Sequence, residues 1–192
     1  MPVSAPETPG VELARCAADV VELAAFGVSP AEVEERAARA GVRLAGLGRS
    51  AASAAQLSLS VRPARWLLLS APGAPGSAAA HWQEILSPRG AAVDLSSALA
   101  AFVLGGAAVR EMLARACRLD LDANAFPPGQ AAATIMVQVP VTLAALGTRM
   151  LLLTPATTAR HLHEWLGGAA RPFGLSMAAE ISMNQLCGAR ST

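Results

Sequence analysis

Short apolar runs, each about as long as a β-strand and bounded by turn residues, set the strongest limit on how this chain folds. Residues 57–61 alternate leucine or valine with serine, which predicts a strand with one buried face. The run Ser29-Pro30-Ala31-Glu32 instead predicts a helix start, with Ser29 as the cap and Pro30 in the first turn. Because strands of this kind interleave with helices, the sequence predicts the α+β class.

The remaining elements follow from the same signals. Strands are predicted at residues 56–61, 66–69, 92–95, 99–104, 132–139, 141–146 and 149–153, and helices after Ser29, Ser77, Gly106 and Thr157. Residues 45–55 are expected to form a loop, and residues 11–26 fit either a helix or a strand. If residues 19–26 are a strand, the first half becomes a split β-α-β, ferredoxin-like unit with an antiparallel sheet. The expected core contains Trp66, Phe102, Leu104, Leu113, Leu152 and Trp165.

The length of 192 residues fits one ordinary domain. We expect a single compact domain over residues 19–175, between a flexible N-terminal tail at residues 1–18 and a C-terminal extension at residues 176–192. The beginning of the tail contains three prolines and has no basic, apolar signal-peptide pattern, so a cytoplasmic location is expected.

Composition excludes two classes of partner and favours a third. A net charge of +1 gives no basic field for a nucleic-acid backbone. No apolar run reaches the ~20 residues of a membrane span, since residues 131–146 are interrupted by Gln138 and Pro140. Hydrophobic residues nevertheless make up 53% of the chain and charged residues only 15%. This balance predicts an apolar surface covered by a protein partner, unless the many alanines account for it.

The residue types that usually carry catalysis are few and scattered. Cys16, Cys117 and Cys187 form no Cys-x-x-Cys pair, which indicates buried thiols. His161 and His163 would lie about 200° apart around a helix, so we expect one packed and one exposed imidazole.

Two further motifs have an ordinary structural interpretation. Asp120 and Asp122 share a face if extended, but their turn-rich surroundings favour solvated carboxylates over an acid–base pair. Gly105-Gly106 could hold an anion at a helix start, but a tight packing turn fits better because the third glycine of a dinucleotide fingerprint is missing. No catalytic, cofactor-binding or metal-binding residue is predicted.

Residues 19–175 contain motifs that resemble the gamma subunit of heterotetrameric sarcosine oxidase. The motifs are Pro63-Ala64-Arg65-Trp66-Leu67-Leu68, Arg118-Leu119-Asp120-Leu121, Ala125-Phe126-Pro127-Pro128-Gly129, Thr134, His163-Glu164-Trp165-Leu166 and Pro172-Phe173-Gly174. In addition, Val93-Asp94-Leu95-Ser96 and Val103-Leu104-Gly105-Gly106 resemble the folate-binding T protein (aminomethyltransferase) of glycine cleavage, to which the gamma family is related. The resemblance implies a fold like the folate-binding domain of that protein.

The resemblance also implies a function. The chain would be a non-catalytic structural and assembly subunit of an oxidoreductase complex that acts on CH–NH donors and demethylates sarcosine oxidatively to glycine. Its partners would be the alpha, beta and delta subunits, and FAD, FMN, NAD and tetrahydrofolate would bind to other subunits. We expect partner contacts at Asp120, Asp122, Phe126, Pro127 and Pro128, with the alternative that Phe126 fills the chain's own core.

Departures from both families keep two alternatives open. Residues 129–134 lack the acid of a T protein, Ser97-Ala98 replaces its His-Met, and the chain has no tyrosine to surround a pterin. These differences argue against a stand-alone folate-binding module. Residues 154–158 replace the basic Arg-Ser of the gamma family. The complex could therefore act on another N-methyl amino acid or amine, as an oxidase or dehydrogenase.

Overall fold

The computed structural model describes residues 9–53 and 56–188. The strands are β1 (Val11–Ala17), β2 (Asp19–Ala24), β3 (Arg49–Ser53), β4 (Gln56–Arg62), β5 (Arg65–Ser70), β6 (Ala91–Asp94), β7 (Leu99–Gly105), β8 (Ala131–Met136), β9 (Val139–Leu146), β10 (Arg149–Pro155), β11 (Leu175–Met177) and β12 (Ile181–Ser182). The α-helices are α1 (Pro30–Arg39), α2 (Ser77–Leu86), α3 (Val109–Ala114), α4 (Ala159–Ala170) and α5 (Met183–Gly188). The predicted α+β class is confirmed.

The strands form two sheets. The small sheet has the order β3-β4-β5-β2-β6, and all of its neighbouring strands are antiparallel. The large sheet has the order β11-β1-β7-β10-β9-β8, with β12 also beside β1, and β11 and β12 run parallel to β1. The sheets meet at one edge, where Ser50 N donates to Gly129 O at 2.8 Å and Ala131 N donates to Gly48 O at 2.9 Å.

Three apolar cores show that the fold has four layers, helix–sheet–sheet–helix. The outer face of the small sheet packs on α1 and α2, through residues such as Leu23, Trp66 and Trp82. The outer face of the large sheet packs on α3 and α4, through residues such as Phe102 and Leu113. Between the sheets lies the inter-sheet core, which includes Val20, Leu57, Leu59, Leu67, Leu69, Val103, Leu151, Leu153, Met183 and Leu186.

The expected core residues are confirmed, although one of them is only partly buried. Trp66, Phe102, Leu104, Leu113 and Leu152 are buried, whereas Trp165 is half-buried against the helical core of the large sheet. The indole Nε1 of Trp66 donates to Ala45 O at 2.9 Å, so the largest buried side chain of β5 has a polar partner.

The sequence places residues 11–17 in a flexible tail, but the structure shows that they are not part of one. They form β1, which lies between β7 and the β11–β12 edge. Both faces of β1 contribute to cores, with Val11 and Leu13 towards α3 and α4 and Cys16 between the sheets. Because apolar residues of β1 face both cores, the strand shows no regular apolar–polar alternation that sequence analysis could detect. Residues 1–8 lie outside the described residues.

Other boundaries also differ from those predicted. Residues 49–53, expected within a loop, form β3. The strand predicted over 132–139 ends at Met136, because Val137 and Gln138 have φ values of 49° and 66° and turn the chain into β9. The chain therefore enters β9 at Val139, and Pro140 lies within that strand.

The segment expected to be a C-terminal extension is built into the fold as far as it is described. β11 and β12 both pair with β1. Helix α5 inserts Met183, Leu186 and Cys187 into the inter-sheet core. The segment therefore closes one side of the sandwich. Residues 189–192 lie outside the described part of the chain.

Candidate functional site

The aspartates of the segment 120–129 are used by its own turns. Asp120 Oδ1 accepts a hydrogen bond from Asp122 N at 2.9 Å, and Asp122 Oδ1 accepts one from Asn124 N at 2.8 Å. Both side chains are exposed. The two carboxylates thus form consecutive Asx turns that start the segment, instead of facing each other as an acid–base pair.

Phe126 fills the chain's own core, the alternative left open by the sequence. Its side chain is buried, in the same cluster as Leu121. From α3, Arg110 Nη1 donates to Leu121 O at 2.6 Å and to Phe126 O at 2.9 Å. Of the five residues predicted to contact a partner, Asp120, Asp122 and Pro128 are exposed and Pro127 is half-buried.

The Gly105-Gly106 pair allows a close backbone approach. Gly106 has φ +107°, and a Cβ placed there would lie 2.4 Å from Gly10 O. The same carbonyl accepts a hydrogen bond from Ala108 N at 3.0 Å. The tight packing turn is therefore confirmed: it fixes residue 10 against the start of α3.

The histidines behave as the helical spacing predicted. His163 stacks on Phe102 with ring centroids 5.5 Å apart, whereas His161 is exposed. His163 borders a groove of about 320 Å³ that Arg15 and Arg160 also line. Arg160 Nε donates to Glu164 Oε1 at 2.8 Å, and this hydrogen bond lowers the pKa of the Glu164 carboxyl.

The groove therefore presents one half-buried imidazole and two guanidinium groups, and its lining contains neither a thiol nor a carboxylate. Across the described residues, no three His, Cys, Asp or Glu side chains come together in a way that could hold a metal ion.

All three thiols are buried, as the sequence predicted. Cys16 Sγ lies 3.9 Å from Met183 Sδ. Burial, and then the proximity of Cys187 and Glu180, raises the pKa of Cys16 to about 11. A thiol in this environment stays protonated at neutral pH and is a poor nucleophile.

The Asp94-x-Ser96 motif fixes the connection between the two sheets. Asp94 Oδ1 accepts from Ser96 N at 2.9 Å, and Ser96 Oγ accepts from Val20 N at 3.0 Å. The hydrogen bonds from Ser96 lower the pKa of the Asp94 carboxyl. The motif thereby ties the turn after β6 to the start of β2.

One polar cluster was missed by sequence analysis. Glu22, in the middle of β2, is only 8% exposed. Its Oε1 accepts a hydrogen bond from Arg65 Nη1 at 2.5 Å, and its Oε2 is paired with Arg62 Nη2. The signal that could have revealed the cluster is an acid inside the apolar run 19–24, together with two arginines around a turn at Pro63.

Comparison with known proteins defines the fold. No family model matches the chain, and no curated protein matches it. A chain in the structure of heterotetrameric sarcosine oxidase from Corynebacterium sp. U-96, in complex with pyrrole 2-carboxylate, is similar with a TM-score of 0.76 and 24% identity. The similarity covers 92% of this chain and 91% of that one.

A second solved structure has a related fold over part of its length. Glycine cleavage system aminomethyltransferase T from Bartonella henselae is similar with a TM-score of 0.65 and 15% identity, over 88% of this chain and 48% of that one. This chain therefore has the fold of a chain of heterotetrameric sarcosine oxidase, and it spans about half of the aminomethyltransferase. None of the described helices is long and apolar enough to cross a membrane.

Proposed function

We propose that this chain is the gamma-type, non-catalytic structural subunit of a heterotetrameric flavoenzyme of the sarcosine-oxidase kind. The observation that carries the proposal is the end-to-end match with a chain of such an enzyme, which covers more than nine-tenths of both chains. The aminomethyltransferase, by contrast, is matched over 48% of its length. A chain that reproduces one whole component of a multi-subunit enzyme is best explained as the same kind of component.

The roles of the polar side chains support a scaffold. The carboxylates of Asp94, Asp120 and Asp122 accept hydrogen bonds from backbone amides of their own turns. The carboxylate of Glu22 joins two arginines, and burial keeps the thiol of Cys16 protonated. These groups stabilise the fold. We assign the chemistry, oxidative demethylation of sarcosine to glycine, to the other subunits, where FAD, FMN, NAD and tetrahydrofolate would bind.

The partners in this proposal are the alpha, beta and delta subunits. The exposed part of the segment 120–129, with Asp120, Asp122 and Pro128, is one proposed contact. Phe126 and Pro127 would support that contact from below, since Phe126 is buried and Arg110 holds the backbone beneath it.

A folate-binding module is the second candidate, because the aminomethyltransferase shares the fold with a TM-score of 0.65. It predicts that the isolated chain binds tetrahydrofolate with sub-micromolar affinity in calorimetry. The scaffold proposal predicts no such binding. A complex that oxidises a different N-methyl amino acid or amine would keep the structural role and change only the substrate.

The experiment is co-expression of the tagged chain with the proteins encoded beside its gene. We expect a yellow complex with flavin-bearing subunits that oxidises sarcosine. The exposed histidines provide an internal check: His81→Ala and His161→Ala should leave kcat per flavin unchanged in the purified complex. A colourless chain that purifies alone would refute the proposal, and a large drop in kcat with either variant would refute the non-catalytic role.

A further inference from the structure

Among the residues that the structure describes, no element covers one corner of the small sheet on the face that is turned towards the large sheet. Val20 and Leu67 lie on this face, because both belong to the inter-sheet core. Glu22 is two residues from Val20, and Val93 stands opposite Glu22 in the β2–β6 pair, so both share the face. Val93 is nevertheless 49% exposed. The large sheet therefore stops short of this corner.

The corner carries a pair of arginines held in a fixed arrangement. Arg65 is two residues from Leu67 and so lies on the same face. Arg62 and Arg65 each bind one oxygen of the buried Glu22 carboxylate, while their side chains remain 57% and 47% exposed. Each guanidinium keeps further N–H donors for another acceptor. Two cations on one carboxylate leave a surplus of one positive charge.

The turn between the two arginines is itself constrained. Ala64 has φ +57°, a conformation that residues other than glycine seldom adopt. Its carbonyl accepts a hydrogen bond from Ala25 N at 3.0 Å, which anchors the turn to the end of β2. The guanidinium groups are thus positioned before any partner arrives, which reduces the entropy cost of binding.

An exposed aromatic ring lies beside this turn. Phe26 directly follows Ala25 and is 79% exposed. By comparison, Phe102 and Phe126 are buried and Phe173 is half-buried. Aromatic residues and arginine are the types most enriched at the energetic centres of protein interfaces.

We propose that the Phe26 corner, defined by Phe26, Arg62, Arg65 and Val93, is a docking surface for another subunit of the complex. It fits a partner that offers an apolar pocket for the Phe26 ring and carboxylates for the two arginines. This inference rests on the proposed function, since it takes the partner from that complex.

Two features decide the kind of contact. The outer edge of β6 is closed by Gln83, whose Oε1 accepts from Ala92 N at 3.0 Å and whose Nε2 donates to Gly90 O at 3.2 Å. Docking therefore uses side chains and not addition of a strand. A second copy of this chain would bring like charges together at the corner, so a different, acidic partner is favoured.

The test uses the co-expressed complex. Phe26→Ser should weaken capture of the partner subunits at least about tenfold, because it removes the central apolar anchor. Ile135→Ser is the matched control, since Ile135 is 64% exposed but lies on β8 in the large sheet, whereas the Phe26 corner belongs to the small sheet. It should change capture less than about twofold. Capture by the unmodified chain should weaken as salt rises, and Arg62→Gln should reduce this dependence.

The outcomes separate this inference from the one on which it rests. If the unmodified chain assembles and Phe26→Ser assembles equally well, the docking surface is refuted while the proposed function stands. If the unmodified chain captures no flavin-bearing subunit, both are refuted. If the isolated chain forms a dimer that Phe26→Ser abolishes, the corner binds a second copy and the heteromeric proposal is wrong. Equal melting temperatures for both serine variants would show that the comparison reports binding and not folding.

Discussion

Alkaline pH should destabilise this protein through the buried thiol of Cys16. Cys16 has its pKa raised from 9.0 to about 11, mainly by burial. In the unfolded chain the thiol ionises near pH 9, whereas in the folded chain it stays protonated until about pH 11. Between these values the unfolded state releases the proton first, so the free energy of unfolding falls as pH rises. Below pH 9 this loss is absent.

The magnitude follows from the size of the shift. One pKa unit corresponds to about 1.4 kcal/mol, so the shift predicts a loss of roughly 2–3 kcal/mol across the window. That is a large share of the stability of an ordinary domain, about 5–15 kcal/mol. The chain has no lysine and no tyrosine to titrate in this window.

The assay is urea unfolding at a series of pH values from 8 to 11, for the unmodified chain and for Cys16→Ala. We expect the variant to be less stable at pH 8, since it loses the contact with Met183, but to decline less as pH rises. Cys117→Ala is the control: it removes a buried thiol from the other core of the large sheet and leaves Cys16 in place. If the free energy of unfolding falls equally between pH 8 and pH 11 in the unmodified chain and in Cys16→Ala, the reasoning is refuted.

Three further predictions concern the site segments. Phe126→Ala should lower the free energy of unfolding by about 3–5 kcal/mol because the ring is buried; Pro128→Ala, at an exposed position, should leave it nearly unchanged in the same urea titration. Gly106→Ala should lower the free energy of unfolding by more than about 3 kcal/mol, because the new Cβ clashes with the backbone of Gly10. Gly147→Ala, which has open space around its Cβ, should lower it by about 1–2 kcal/mol in the same assay. Asp94→Asn should reduce the fall in melting temperature that accompanies acidification. The lowered pKa of Asp94 stabilises the fold above about pH 3.8, and that stabilisation is lost as pH falls.

Local signals in the sequence predicted those elements whose stability is decided locally. The helix start at Ser29 is confirmed, with Ser29 Oγ accepting from Glu32 N at 3.4 Å and α1 beginning at Pro30. The strand over residues 56–61 is confirmed by β4. In both cases the deciding interactions lie within a few residues, so the pattern itself carries the information.

Elements whose partners lie far away in the chain could not be predicted. β1 is stabilised by β7 and by β11, and α5 by the inter-sheet core, so neither has a local signature. The Glu22 cluster depends on arginines 40 and 43 residues later. A glutamate inside an apolar run is ambiguous until the β2–β5 register brings Arg65 beside it.

The motifs that resemble known families mark turns and tight packing more than chemistry. Asp94 and Asp120 accept hydrogen bonds from backbone amides two residues later, and Gly106 permits contact with residue 10. Groups engaged in this way are constrained by the fold whether or not a reaction takes place nearby. The exposed Phe26 has no such internal role, because a ring that is 79% exposed adds little to the stability of the isolated chain. Binding of a partner subunit is the role that we propose for this ring, and the Phe26→Ser comparison measures that property.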